Sequence, residues 1–159
     1  MLVFETLVVL PLVTGIVGRL DAATPSERQP PTIVTDMLRR AYSGSQIKSF
    51  VVRNAMSAFP PVRPTMRRQF TELGVFLLLP LHLSESEIES AYISSVYMGN
   101  DVHGFAKAAQ NHLGVPLESV NVNQAARLVA IAHAPSAYLQ DAERLERRTQ
   151  YLLSLPPRQ

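Results

Sequence analysis

The sequence predicts an all-α domain, on three observations. Apolar residues recur at helical spacing in segment after segment, bounded by capping residues, glycines or prolines. No alternating apolar–polar run of useful length offers a strand. The chain has 159 residues, 47% of them apolar, enough for one buried core at about one domain's length.

Residues 1–18, MLVFETLVVLPLVTGIVG, are mostly apolar but interrupted by Glu5 and Pro11. A spanning helix needs about 20 apolar residues, and a secretory leader needs a positively charged start that this stretch lacks. The expectation is a buried or membrane-apposed segment, and the abrupt apolar start suits a piece of a longer protein. Residues 21–31 read as a polar, proline-rich loop. Residues 32–42 read as a short helix stopped near Ser43 and Gly44. Residues 46–58 place Ile47, Phe50, Val51 and Ala55 at helical spacing. FPPVRP, residues 59–64, reads as a rigid connector. Residues 65–79 form a helix that grows more apolar until Pro80 disrupts it.

Ser84 and Glu87 form a capping box, in which serine caps the first turn and the glutamate three residues on returns the bond. The helix they open carries Ile88, Tyr92, Ser95 and Val96 on related faces, and Gly99 suits its stop. Residues 104–114, GFAKAAQNHLG, form a small-residue helix able to pack closely. Residues 123–133 read as a helix capped by Asn123, broken by APSAY. Residues 141–154 form the last helix, with Asp141 at its positive end. No internal repeat or glycine-rich phosphate loop occurs.

Composition narrows the function classes. Charged residues are 18%, low for a freely soluble chain, so much surface is buried or an apolar patch serves a membrane or partner. A net charge of +2 gives no nucleic-acid signature. The basic residues are 13 Arg against 2 Lys. Arginine suits phosphate and carboxylate forks, and codon bias in a GC-rich genome accounts for the same count. With no cysteine, disulfides and thiol nucleophiles are excluded. His82, His112 and His133 show no metal-ligand spacing. His103 suits a cleft, a cap or packing. Ser136 lacks a nucleophile elbow.

The densest signal is the order S-x-x-E-I-x-x-x-Y-x-x-x-V-Y-x-G-N-x-x-x-G-F-x-x-A-A-x-x-x-L-G, carried by Ser84, Glu87, Ile88, Tyr92, Tyr97, Gly99, Gly104, Ala108, Ala109 and Gly114. It resembles the bacterial peptidoglycan glycosyltransferases, glycosyltransferase family 51. NVNQAARLVAIAHAPSAY and DAERLERRTQYLL continue the resemblance, which is best over residues 64–154 of a single domain spanning 1–159. Ser94 departs from it where the family has asparagine. Reading back in register, Arg68 and Glu72 fall on the family's R-K-x-x-E, with Gln69 replacing the lysine. Four residues apart, they share a helical face, and an arginine beside a carboxylate holds it ionised and can also face a phosphate. Upstream the likeness thins. In PPTIVTDML, Thr32 and Ile33 match, Pro30 and Pro31 replace glycines, and Thr35 and Asp36 occupy a glutamine pair. Glu5 is the one acidic residue where the family's first catalytic glutamate belongs. The aspartate, phenylalanine and histidine that accompany it there are missing.

The resemblance implies a lysozyme-like helical fold and polymerisation of glycan strands from lipid II, with polyprenyl pyrophosphate leaving. Glu72 and Glu5 are its implied catalytic residues. Glu5 would be the base, and Glu72 with Arg68 would organise the leaving-group side, with room for a divalent cation (Mg or Mn). Arg68, Thr32, Asp36 and Asn100 are candidate substrate-binding residues, although Asn100 and Asp101 equally suit an ordinary turn. Arg147 and Arg148 match the family's E-R-R and suit a structural face as well as a functional one. The implied partners are lipid II, the growing strand and a membrane surface, at the periplasmic or outer face of the bacterial inner membrane. A degenerate relative that only binds lipid-linked saccharide or a cell-wall partner is the alternative.

Overall fold

The computed structural model describes residues 2–57 and 66–157; the expected 59–64 connector lies outside them. Among the described residues the structure is helical, with no strand and one isolated bridge between Tyr97 and His103. This is the lysozyme-like all-α architecture that the sequence predicts.

The apolar N-terminal stretch is helical throughout. A π-turn at Glu5–Val9 leads into helix Leu10–Ala22, which turns Leu12, Ile16 and Leu20 into the core. Pro11 falls where the π-turn Glu5–Val9 passes into this helix, and the break in the regular hydrogen-bond ladder there accommodates a residue with no N–H to donate. The expected loop at 21–31 contains a helical turn, Pro25–Arg28, because Thr24 and Glu27 form a capping box.

Helix Thr32–Ala41 buries Val34, Met37 and Leu38. Helix Gly44–Ser57 buries Ile47, Val51, Val52 and Ala55. Met66–Leu78 follows, and Pro80 converts its continuation into a single tight turn. Glu85–Ser95 opens on the capping box: the Ser84 amide donates to Glu87 at 2.7 Å and the Glu87 amide donates to Ser84 Oγ at 3.3 Å. On its buried face Glu89 accepts a two-pronged ion pair from Arg39, at 2.7 and 2.9 Å, which fixes the Thr32–Ala41 helix beside it.

Helix Val122–His133 is the centre of the domain, packed by the Thr32–Ala41 helix and by the last helix, Ala142–Ser154. Ala125, Ala126 and Ala130 keep its neighbours close, while Leu128, Val129 and Ile131 fill the space between. Its cap is Asn121, not Asn123. Asn121 Oδ1 accepts from the Gln124 amide at 2.9 Å, and Gln124 returns the bond at 2.9 Å, so the box starts two residues earlier than the apolar period indicated. APSAY does not simply break the chain but begins a short helix, Pro135–Gln140.

The elbow between residues 96 and 105 is pinned from a distance in sequence. Glu27 is buried, and its carboxylate accepts from the Ala106 amide at 3.0 Å and from Thr24 Oγ1 at 2.9 Å. It therefore occupies the amide-rich start of the helix at Phe105, where a negative charge is favoured. Gly99, Asn100 and Asp101 take positive φ to make the preceding reversal.

Candidate active site

Four helical segments enclose one groove of about 840 Å³, within the size range of small-ligand clefts. Ser45, Gln46, Ser49, Phe50 and Arg53 line it from the Gly44–Ser57 helix, and Gln69, Glu72, Leu73 and Phe76 from the Met66–Leu78 helix. Tyr42, Tyr92, Val96, Ala132 and His133 complete it.

Glu72 is the one acidic side chain lining the groove among the described residues. Its Oε1 accepts from Arg68 Nε at 3.0 Å, with both side chains about a quarter exposed. The spacing of the two residues therefore makes the pair that the sequence predicted. The partial exposure leaves both charges reachable by a ligand while water still screens them.

An aromatic cluster meets the groove. Phe50 stands edge-on to Tyr92 at 4.8 Å, Tyr42 and Tyr92 are 6.0 Å apart, and His133 lies 6.3 Å from Tyr42. Burial pushes both tyrosines up from their ordinary value, so they stay protonated hydrogen-bond donors across the physiological range. Burial, with the nearby Arg148 charge, holds His133 below its ordinary value, so its imidazole is neutral at neutral pH. Lys48 caps the Phe76 ring at 3.8 Å and braces the two helices that supply most of the lining.

The other predicted residues lie elsewhere. Glu5 does not line the groove; its carboxylate faces His82 Nε2 at 3.3 Å, with Phe4 beside it packed over Gly74. Thr32 is exposed at the first turn of its helix, and its carbonyl accepts from Thr35 Oγ1 at 3.0 Å. Asp36 is exposed one turn further on and contributes to the field around Arg39. Asn100 is exposed in the elbow reversal with φ 52°. Thus Glu72 alone of the six predicted side chains lines the groove, with Arg68 bonded to it. Arg147 pairs with Glu143 on the surface, whereas Arg148 turns toward Tyr151 and the aromatic cluster.

The donor set does not suit a protein-held divalent cation. Among the described residues no group of three or more acidic or histidine side chains converges, and Glu72 is already engaged by a guanidinium.

Sequence reasoning missed Gln46, Ser49 and Arg53. Their signal was available: they recur every three or four residues on the face of the Gly44–Ser57 helix away from Ile47, Val51 and Ala55.

The all-α, lysozyme-like domain thus carries an open groove lined by one carboxylate among the described residues. The chain belongs to the Transglycosylase family, whose pattern matches residues 32–155. It is 30% identical over 122 residues to penicillin-binding protein 1A/1B of Bacillus subtilis, covering 75% of this chain and 13% of that protein. It is 32% identical over 97 residues to penicillin-binding protein 1B of Vibrio cholerae, covering 57% of this chain and 12% of the relative. Penicillin-binding protein 1A of Neisseria gonorrhoeae is 32% identical over 92 residues, again 57% of this chain and 12% of the relative. The chain thus spans about an eighth of the length of the curated relatives it matches. Membership of this family supports a glycosyltransferase-like function.

Proposed function

We propose that this groove takes lipid II as glycosyl donor and extends a glycan strand with release of polyprenyl pyrophosphate. The observation that carries the reading is Glu72, which lines the groove and is bonded to Arg68, on a helix that lies within the matched family span. An acceptor hydroxyl oxygen attacks the donor's anomeric carbon, and its O–H bond breaks with the proton passing to solvent water. The bond from that carbon to the pyrophosphate oxygen breaks, and the electron pair leaves with the pyrophosphate. Arg68 and the groove-lining Arg53 supply positive charge for the departing group, and Glu72 holds the Arg68 fork in place. The aromatic wall offers flat apolar surface to sugar rings.

The membrane surface is the second partner on this reading. Met66, Phe70, Leu73 and Leu77 recur at helical spacing on one face of the groove's own helix, followed by Leu81, and all are exposed. Val3, Leu7 and Leu10 form a similar exposed stripe on the segment packed against that helix through Phe4 and Gly74. Among the described residues no helix is long and apolar enough to cross a membrane. Such stripes suit a helix lying in the interface, with a lipid tail running from the bilayer toward the groove through Leu73. On this reading the chain works at the outer face of the bacterial inner membrane. Replacing Phe70 and Leu77 with glutamate is expected to lower vesicle binding by at least 10²-fold, since each buried large side chain is worth about 1.5–3 kcal/mol. Co-sedimentation measures it, and undiminished binding by the double variant would remove the stripe from the account.

Incubating the chain with fluorescent lipid II in vesicles and resolving the products by gel tests the chemistry. Strands longer than the donor are expected. The outer position of Glu5 favours the second reading, a relative that binds lipid-linked saccharide without polymerising it. A folded chain that binds lipid II and yields no polymer would select that reading.

A further inference from the structure

Position 69 lines the groove with a glutamine, where the family's R-K-x-x-E carries a lysine. We propose that Arg53, on the Gly44–Ser57 helix across the groove, supplies the cation that position 69 lacks. The inference rests on the glycosyl-transfer reading above, which names the anion as a departing pyrophosphate.

The register of the two helices puts these residues at one level. Lys48, in the second turn of Gly44–Ser57, stacks at 3.8 Å on Phe76, near the end of Met66–Leu78. Helices that meet start to end run antiparallel, so counting forward from Lys48 matches counting back from Phe76. At about 1.5 Å per residue, Arg53 lies about 7.5 Å along the first axis, and Glu72 and Gln69 about 6 and 10.5 Å along the second. Arg53 is therefore level with the span between Glu72 and Gln69, and all three line the same groove.

The charge at this level is available to a ligand. Among the described residues Arg53 is the one arginine or lysine that lines the groove. It is exposed, and no carboxylate pairs with it among the described residues. Its Nε donates to the Ser49 carbonyl at 3.3 Å, which holds the side chain along its own helix and leaves the two terminal nitrogens to reach outward. Arg68 differs, because its Nε is already shared with the Glu72 carboxylate at 3.0 Å. A pyrophosphate that departs with its electron pair gains negative charge, and a cation not already paired meets that charge best. A guanidinium offers parallel N–H groups to phosphate oxygens, where an ammonium offers a point charge. An arginine reaching from the facing helix can thus do the work of a lysine at position 69.

The test compares the whole chain with R53Q, Q69K and the double variant R53Q/Q69K. Calorimetry reads the binding of inorganic pyrophosphate, and gels read polymerisation of fluorescent lipid II in vesicles. R53Q is expected to weaken pyrophosphate binding by about 10-fold or more and to slow polymerisation by about 10²-fold, at an unchanged melting temperature. Position 69 is exposed, so Q69K is compatible with the fold. Adding it to R53Q is expected to return both readings to within about threefold of the wild type, since it restores a point charge at the same level. A repair made from the other helix cannot come from mending the Gly44–Ser57 helix, so rescue separates charge supply from a structural role. Wild-type binding and turnover in R53Q would overturn the inference, and so would a loss in R53Q that Q69K leaves unrepaired. A folded wild-type chain that binds pyrophosphate through Arg53 but forms no polymer would refute the glycosyl-transfer reading and leave the exchange standing.

Discussion

Replacing Glu72 with glutamine is expected to slow glycan polymerisation by about 10²–10³-fold, equivalent to about 2.7–4 kcal/mol of transition-state stabilisation. Glutamine keeps the volume and removes the charge. Arg68 Nε then loses the carboxylate it meets at 3.0 Å, and on the function proposed above the charge offered to the leaving pyrophosphate is less firmly placed. The loss should fall on turnover more than on binding, because the charge that Arg68 neutralises grows as the pyrophosphate departs. Stability should barely change: a partly exposed pair four residues apart on a helix contributes about 0.3–0.5 kcal/mol. The comparison is therefore clean. Gel-resolved strand synthesis should collapse while circular dichroism and melting temperature stay at the wild-type values. Full activity in E72Q would remove Glu72 from the machinery and leave the groove as a binding surface.

The fold was legible wherever a local rule acts within one or two turns. The Ser84–Glu87 box, the Asp141 cap and the buried periodicity of Ile47, Val51 and Ala55 all stand where the sequence put them. Local signals misled where two competed. Asn123 and Asn121 both precede the same apolar run, and only Asn121 has a glutamine three residues on to return its bond. The candidate site was legible at Arg68 and Glu72 because both stand on one helix, so spacing fixes their meeting. Glu5 stands on another element. Its direction depends on Phe4 packing over Gly74 and on His82 waiting beyond Pro80, contacts that no periodicity encodes. Tyr42, Arg53 and His133 come together from three helices, and their convergence belongs to tertiary packing in the same way.

Gly104 carries the largest expected effect on stability. It takes φ 84° and ψ 152° at the start of the helix opened by Phe105, a region that side-chain-bearing residues avoid. A methyl group there would meet the Glu27 carboxylate oxygen and lie 2.9 Å from the Ser94 carbonyl oxygen. Neither neighbour gives way easily. The Ser94 oxygen belongs to a helical backbone, and Glu27 is buried and bonded to Ala106 and Thr24. Gly104→Ala is therefore expected to cost about 1–3 kcal/mol in backbone strain and about 1–3 kcal/mol more in displaced hydrogen bonds to a buried carboxylate. Together these amount to a melting-temperature loss of about 10 °C for a domain of this size. Gly114 supplies the control: its φ is 70°, but an added methyl meets nothing within 4 Å. Gly114→Ala should pay the strain alone and lose roughly half as much. Equal losses in the two variants would mean that neither the Glu27 nor the Ser94 contact matters. An unequal loss assigns the difference to the contacts with Glu27 and the Ser94 carbonyl together with the steeper backbone strain at Gly104.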